Sequence, residues 1–106
     1  MVKKTIINKL KRFRKLLEKE GIPVEKLILF GSQARGTAHK DSDIDVCVIS
    51  PIFGKDPITE KFKLLYLGPQ IDTRIQAVPF STKDFLKNKI SPLLHEIRQE
   101  GIDIKN

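Results

Sequence analysis

The residues of this chain that could do chemistry lie between positions 27 and 50, in the run LILFGSQARGTAHKDSDIDVCVIS. An apolar segment, Leu27 to Phe30, ends at Gly31-Ser32, and a second apolar segment opens with Asp43 and Asp45. If the second segment is a strand, alternation puts Asp43, Asp45, Cys47 and Ile49 on one face. Ile44, Val46 and Val48 then take the other face, which by its β-branched character should meet the core. Asp43 and Asp45 would stand about 6–7 Å apart. Carboxylates at that spacing can hold one or two Mg²⁺ ions against substrate phosphates, as two-metal phosphoryl and nucleotidyl transfer requires. The Gly31-Ser32 turn supplies the complement. Glycine lets the backbone approach a ligand closely and accepts positive φ. Ser32 can cap a short helix over Gln33–Gly36, and its hydroxyl can reach a phosphate oxygen. Together these features suit a metal-bound nucleoside triphosphate.

Other readings of the same residues fare less well. Gly31 to Gly36 matches the first half of a P-loop, but Thr37-Ala38 stands where Lys and Ser/Thr are needed. Asp41, Asp43 and Asp45 could open a calcium loop, yet Val46 and Ile52 occupy the positions that need Gly and Glu. Asp-Ser-Asp-Ile-Asp could also be no more than the solvated start of a strand; Gly31-Ser32 upstream argues for the site.

Gly31-Ser32, Ala34-Arg35-Gly36 and Asp43-Ile44-Asp45, flanked by apolar runs, resemble the signature of the minimal nucleotidyltransferases of the DNA polymerase beta-like superfamily. The resemblance covers residues 27–50 directly. It implies an α/β (α+β) fold, a mixed sheet flanked by helices, built as one minimal domain over residues 1–106. It implies Asp43 and Asp45 as catalytic metal ligands, Mg²⁺ or Mn²⁺ as the metal, ATP as substrate, and Gly31-Ser32 as the triphosphate-binding turn. Arg35 would help with phosphate charge or fix the loop through a carboxylate. The family usually carries a third carboxylate on a later strand, and Gln76 aligns there. Glutamine coordinates only through a neutral carbonyl. Either two carboxylates and Gln76 suffice, or Asp72 substitutes, or activity is reduced.

The elements that must position these residues can be read from periodicity. Val2, Ile6, Leu10, Phe13 and Leu17 predict an amphipathic helix over 2–20, ended by Gly21. Its other face holds Lys3, Lys4, Lys9, Lys11, Arg12, Arg14, Lys15 and Lys19 against Glu18 and Glu20. That face is either solvated or a surface for a phosphate-rich or acidic partner such as nucleic acid. Asp56-Pro57 and Gly68-Pro69 bracket a helix over 57–67 with Ile58, Phe62, Leu65 and Tyr66 as its apolar face. Residues 70–78 alternate as a third strand, with Asp72, Arg74, Gln76 and Val78 facing the site. Ser81 to Asp84 reads as a capping box. Ser91-Pro92 starts a last helix to about residue 100 with Ile90, Leu93, Leu94 and Ile97 inward, and Ile102–Ile104 adds a short edge strand. His39, in the loop before Asp43, could approach the triphosphate.

Composition bounds the remainder. The 106 residues suffice for one real core, and no apolar run nears a membrane span. A single cysteine excludes an internal disulfide and, with no signal peptide visible, points to a reducing cytoplasmic setting. The net charge of +7 would steer a triphosphate and favour nucleic acid more. Two functions follow. One is an enzyme moving NMP, by the resemblance AMP from ATP, onto a hydroxyl acceptor. The other is a weakened nucleotidyltransferase-like module that binds a protein or nucleic acid. With the catalytic core filling the sequence, the acceptor surface comes from a partner or from a second copy. The resemblance names the partner as a HEPN-domain toxin, with this chain as its antitoxin and a toxin tyrosine as acceptor.

Overall fold

Ile6, Leu10, Phe13 and Leu17 recur at the helical period. The computed structural model, which describes residues 2–87 and 91–105, winds Lys4–Lys19 into helix α1 with all four buried. Leu27 and Leu29 on strand β1 (Lys26–Phe30) meet this stripe. A short helix α2 (Ser32–Arg35) leads to strand β2 (Ile44–Ser50). Helix α3 (Pro57–Leu67) follows, capped by Asp56, whose carboxylate accepts from the Thr59 N–H at 3.2 Å. A 3₁₀ turn at Gly68–Gln70 leads to strand β3 (Ile75–Ser81). Helix α4 (Thr82–Leu86), helix α5 (Pro92–Glu100) and a two-residue strand β4 (Ile102–Asp103) complete the chain. The predicted caps hold: Ser81 accepts from the Asp84 N–H at 2.9 Å and Ser91 from the Leu94 N–H at 3.3 Å. Ile90, expected on the inner face of α5, lies outside the described residues.

The sheet order is β3-β2-β1-β4, a mixed sheet as expected. β1 runs antiparallel to β2 and β4, and β2 runs parallel to β3 through the α3 crossover. Ile44, Val46, Val48, Ile75 and Ala77 face α1 and α3 in the larger core. The opposite face is also largely covered. Cys47 and Ile49, expected beside the open site, are fully buried with Ile28, Phe30 and Ile97. Helix α5 closes over that part of the sheet, so only the Asp45 end of the carboxylate face stays open.

Three expectations need correction. The third strand starts at Ile75 rather than near residue 70 and continues to Ser81. The Asp72 carboxylate accepts from the Arg74 N–H at 2.8 Å, and the Asp72 and Ile75 N–H groups close turns, which holds 71–74 out of the strand. Pro79 does not end the strand, because β3 is an edge and loses no ladder bond to it. The apolar face assigned to α3 points outward: Leu64 and Leu67 are buried, while Ile58, Phe62, Leu65 and Tyr66 are exposed. The 3₁₀ turn fixes this rotation by seating Gly68 so close to Ile75 that a Cβ there would lie 3.0 Å from its side chain. Finally, Arg14 is buried instead of joining the basic face. It donates to the Ile104 carbonyl at 2.8 Å and the Val24 carbonyl at 3.3 Å, tying α1 to the residues after β4 and before β1.

Arg14→Ala leaves both carbonyls without their charged donor. It should lower unfolding free energy by about 2–3 kcal/mol in urea titration. Arg12→Ala, on the exposed face of the same helix, should stay within about 0.5 kcal/mol.

Candidate functional site

The site forms where β1 ends and β2 begins. Phe30 pairs with Asp45 across the antiparallel ladder, and Asp45 pairs with Gln76 across the parallel one. Gly31, directly after Phe30, is buried and takes φ 73°, ψ −156°, a conformation available essentially to glycine alone. A Cβ at Gly31 would overlap Asp45 Oδ2 and stand 3.2 Å from its Cγ. The glycine therefore serves two needs, the left-handed turn and the approach of the carboxylate to the backbone.

Gly31, not Ser32, is the N-cap of α2. Its carbonyl accepts from the Ala34 and Arg35 N–H groups at 3.1 Å, while Ser32 already has helical position and makes no side-chain cap. The first N–H groups of this turn have no partner within the helix. They begin beside Asp45. Gly36, in the left-handed conformation, ends the turn.

Asp43 is exposed just before β2, and Asp45, half-buried, is its second residue. The Asp45 carboxyl is pushed above the ordinary carboxylate range, first by burial, then by the charges of Asp43 and Glu96, with Arg35 pulling the other way. Glu96, on α5, was not anticipated. The only signal for it was its place one residue before Ile97 on the helix that covers the site. Arg35 donates to Glu100 Oε2 at 3.0 Å, so of its two expected roles the loop-fixing one has a visible partner. Glu100 was likewise missed.

Gln76 stands beside Asp45 in register and is exposed. Asp72 does not join them. It lies outside the strand, with its Oδ2 at 2.6 Å from Lys9 Nζ and 2.9 Å from Arg74. Hydrogen bonds from Arg74 and Lys9 hold its carboxyl well below the usual range. Arg74 too is committed, to Asp72 and to the Lys40 carbonyl at 3.0 Å. His39 lines a cavity of about 290 Å³ with Lys3, Thr5, Gln33, Lys40 and Arg74, where α1, α2 and the loop before Asp43 meet. Among the described residues no group of three His, Cys, Asp or Glu side chains forms a metal cage. The Cys47 thiol is pushed up to about 12 by burial and is chemically quiet.

The model of the nucleotidyltransferase domain family matches residues 7–102. The chain belongs to this family. Among solved structures, a toxin–antitoxin complex with AMP-PNP aligns with TM-score 0.65 and 27% identity over 94% of this chain and 73% of that one. The toxin–antitoxin MntA-HepT aligns with TM-score 0.61 and 21% identity over 98% of this chain and 73% of that one, a likeness of fold. No functionally curated protein matches. For a nucleotidyltransferase domain, the chemistry of this donor set fits a divalent cation. Burial and the neighbouring Asp43 raise the cost of ionising Asp45, and a cation would relieve that cost. No helix among the described residues is long and apolar enough to cross a membrane.

A carboxyl whose pKa is raised by folding makes the folded state hold its proton to higher pH than the unfolded state does. Stability from this group therefore falls as pH rises from the ordinary carboxylate value through the raised one. In chelator, Asp45→Asn should raise the melting temperature relative to wild type at pH 7. The difference should shrink towards pH 4, read by calorimetry. A variant less stable than wild type at pH 7 would contradict this account.

Proposed function

We propose that this chain transfers a nucleoside monophosphate, AMP from ATP, to a hydroxyl of a protein partner. The observation that carries the reading is the meeting of Asp43, Asp45 and Gly31 at one strand end, in a chain of the nucleotidyltransferase family. The adenine nucleotide is favoured by the AMP-PNP of the similar toxin–antitoxin complex. The toxin–antitoxin neighbour supports an antitoxin role for this chain; by the motif's resemblance to the minimal nucleotidyltransferases the partner is a HEPN-domain toxin and the acceptor a tyrosine hydroxyl.

Asp43 and Asp45 would hold Mg²⁺ or Mn²⁺, which when bound neutralises triphosphate charge and polarises the phosphorus under attack. Gly31 and Ser32 bring backbone N–H groups to the phosphates, and the absence of a Cβ at Gly31 keeps Asp45 against that turn. Arg35, drawn to Glu100, acts as a positioning residue that locks α2 to α5 and moderates the Asp45 charge. Gln76 orients by hydrogen bonding but cannot take the acceptor's proton.

A second reading is a weakened enzyme that acts by binding. Gln76 beside Asp45, in register where the family usually carries a third carboxylate, favours it specifically.

The nucleotide site is tested by calorimetric titration of ATP with Mg²⁺. Gly31→Val should abolish measurable binding, because a branched side chain meets Asp45 and obstructs the phosphates; equal affinity in both proteins would remove the site from Gly31. The reaction is tested by NMP transfer to the HEPN-domain partner over Mg²⁺ and Mn²⁺ series. Asp45→Asn should reduce transfer by more than about 100-fold, beyond the loss expected for a group that only orients a metal ligand. Gln76→Glu should raise turnover and lower the metal requirement. Transfer unaffected by Asp45→Asn would overturn the enzyme reading. An inert wild type with an active Gln76→Glu would establish the binding module.

A further inference from the structure

Helix α3 is apolar on two opposite arcs. With about 100° between successive residues, Leu64 and Leu67 point to the sheet. Leu65, Ile58, Phe62 and Tyr66 follow one another around the far side, across an arc of about 100°. They are 38%, 71%, 65% and 73% exposed. Single exposed apolar side chains are ordinary, whereas four on one face, two of them aromatic, form the kind of patch that marks a contact. The stripe contributes nothing to the core, which Leu64 and Leu67 already complete.

The charges around the stripe say what fits it. Lys61 borders it on one side and Lys63 lies beyond Tyr66 on the other. Lys63 Nζ donates to the Glu20 carbonyl at 3.2 Å, at the end of α1, where Lys19 stands between the exposed Glu18 and Glu20. The carboxylates at the start of α3 are engaged within the helix's own N-terminal turn. Asp56 caps Thr59, and Glu60 accepts from the Gly54 N–H at 2.9 Å and from the Asp56 N–H. A second copy would bring these lysines against their own like in a chain of net charge +7. An arc of this width, rich in aromatic anchors, matches a helix–helix seam with a complementary negative border.

We propose that the outer face of α3 docks a protein partner through an apolar helical ridge flanked by carboxylates. The proposal rests on the reading that this chain acts on a protein. It separates docking from chemistry: α3 packs on the sheet face opposite Asp45, and the edge strand β3 lies between, with Ala77 towards α3 and Gln76 beside Asp45. The outer face of α3 therefore serves as an anchor and not as the acceptor cradle.

The test measures the affinity of the full chain for a HEPN-domain protein, with ATP binding followed in every variant. Phe62→Ser and Tyr66→Ser should each weaken the complex by about tenfold or more and leave ATP affinity unchanged. Lys61→Glu combined with Lys63→Glu should slow association, most at low salt. Leu86→Ser, which removes an equally exposed apolar residue on α4, should change nothing. If wild type binds and the α3 variants bind equally well, this docking surface is wrong while the partner reading stands. If wild type does not bind the HEPN-domain protein, both fail. Concentration-dependent dimerisation lost in Phe62→Ser would assign the face to a second copy, and flotation with phosphatidylserine vesicles lost in the same variant would assign it to a membrane; either overturns the proposal.

Discussion

The structure turns on the approach of one carboxylate to one backbone. Asp45 lies against Gly31 so closely that no side chain fits between them. That contact requires the β1–β2 register that sets Phe30 opposite Asp45, and it requires the backbone at Gly31 to turn with positive φ. A slip of one residue in β2 would send Asp45 into the core formed by Val46 and Val48 and bring an apolar side chain to the turn. The buried alternation of β2, apolar on both faces beyond Asp45, makes such a slip costly. Core packing thus sets the position of a polar group at the strand's end.

The same dependence runs outward through α5. Its Ile97 covers Cys47 and Ile49, its Glu100 holds Arg35, and its Glu96 contributes to the field on Asp45. One helix therefore closes the second core, secures the turn that begins at Gly31 and sets part of the site's charge. Arg35 links the two ends of this arrangement, since it lowers the cost of charge on Asp45 while its nearest partner is on α5.

Most of this framework was legible because local signals and tertiary demands agreed. The stripe from Ile6 to Leu17, the Asp56, Ser81 and Ser91 caps and the alternation of Ile44 to Val48 all predict what forms. The Gly31-Ser32 and Asp43-Ile44-Asp45 pattern marked the candidate site, whose turn and carboxylates the β1–β2 pairing does bring together. The failures share a cause, which is that periodicity is blind to what lies across space. Arg14 looked like one more exposed cation because nothing nearby in sequence announces the Ile104 carbonyl. Helix α3 offers two apolar arcs, and only the seating of Gly68 on Ile75 decides which faces inward. The third strand, read as 70–78, runs on through Pro79 to Ser81 because β3 takes the sheet edge. Glu96 and Glu100 carry no motif; they matter because α5 folds back over residues far upstream.

Gln76 has an electrostatic logic within this frame. Asp45 already bears burial and the repulsion of Asp43 and Glu96, relieved in part by an arginine whose direct partner is Glu100. A carboxylate at position 76, in register beside Asp45, would add a further negative charge to the same strand end. Without a cation, that charge would raise the cost of ionising Asp45 and weaken the folded state around the turn. With a cation, it would add a ligand of the hard, anionic kind that Mg²⁺ prefers. Glutamine removes the repulsion and retains an oxygen that can coordinate or accept a hydrogen bond. If the proposed metal binds here, the residue trades strength of metal retention for tolerance of the metal-free state. That balance suits a chain whose candidate site gathers Asp43 and Asp45 at the start of β2, the strand on which its folded core also depends.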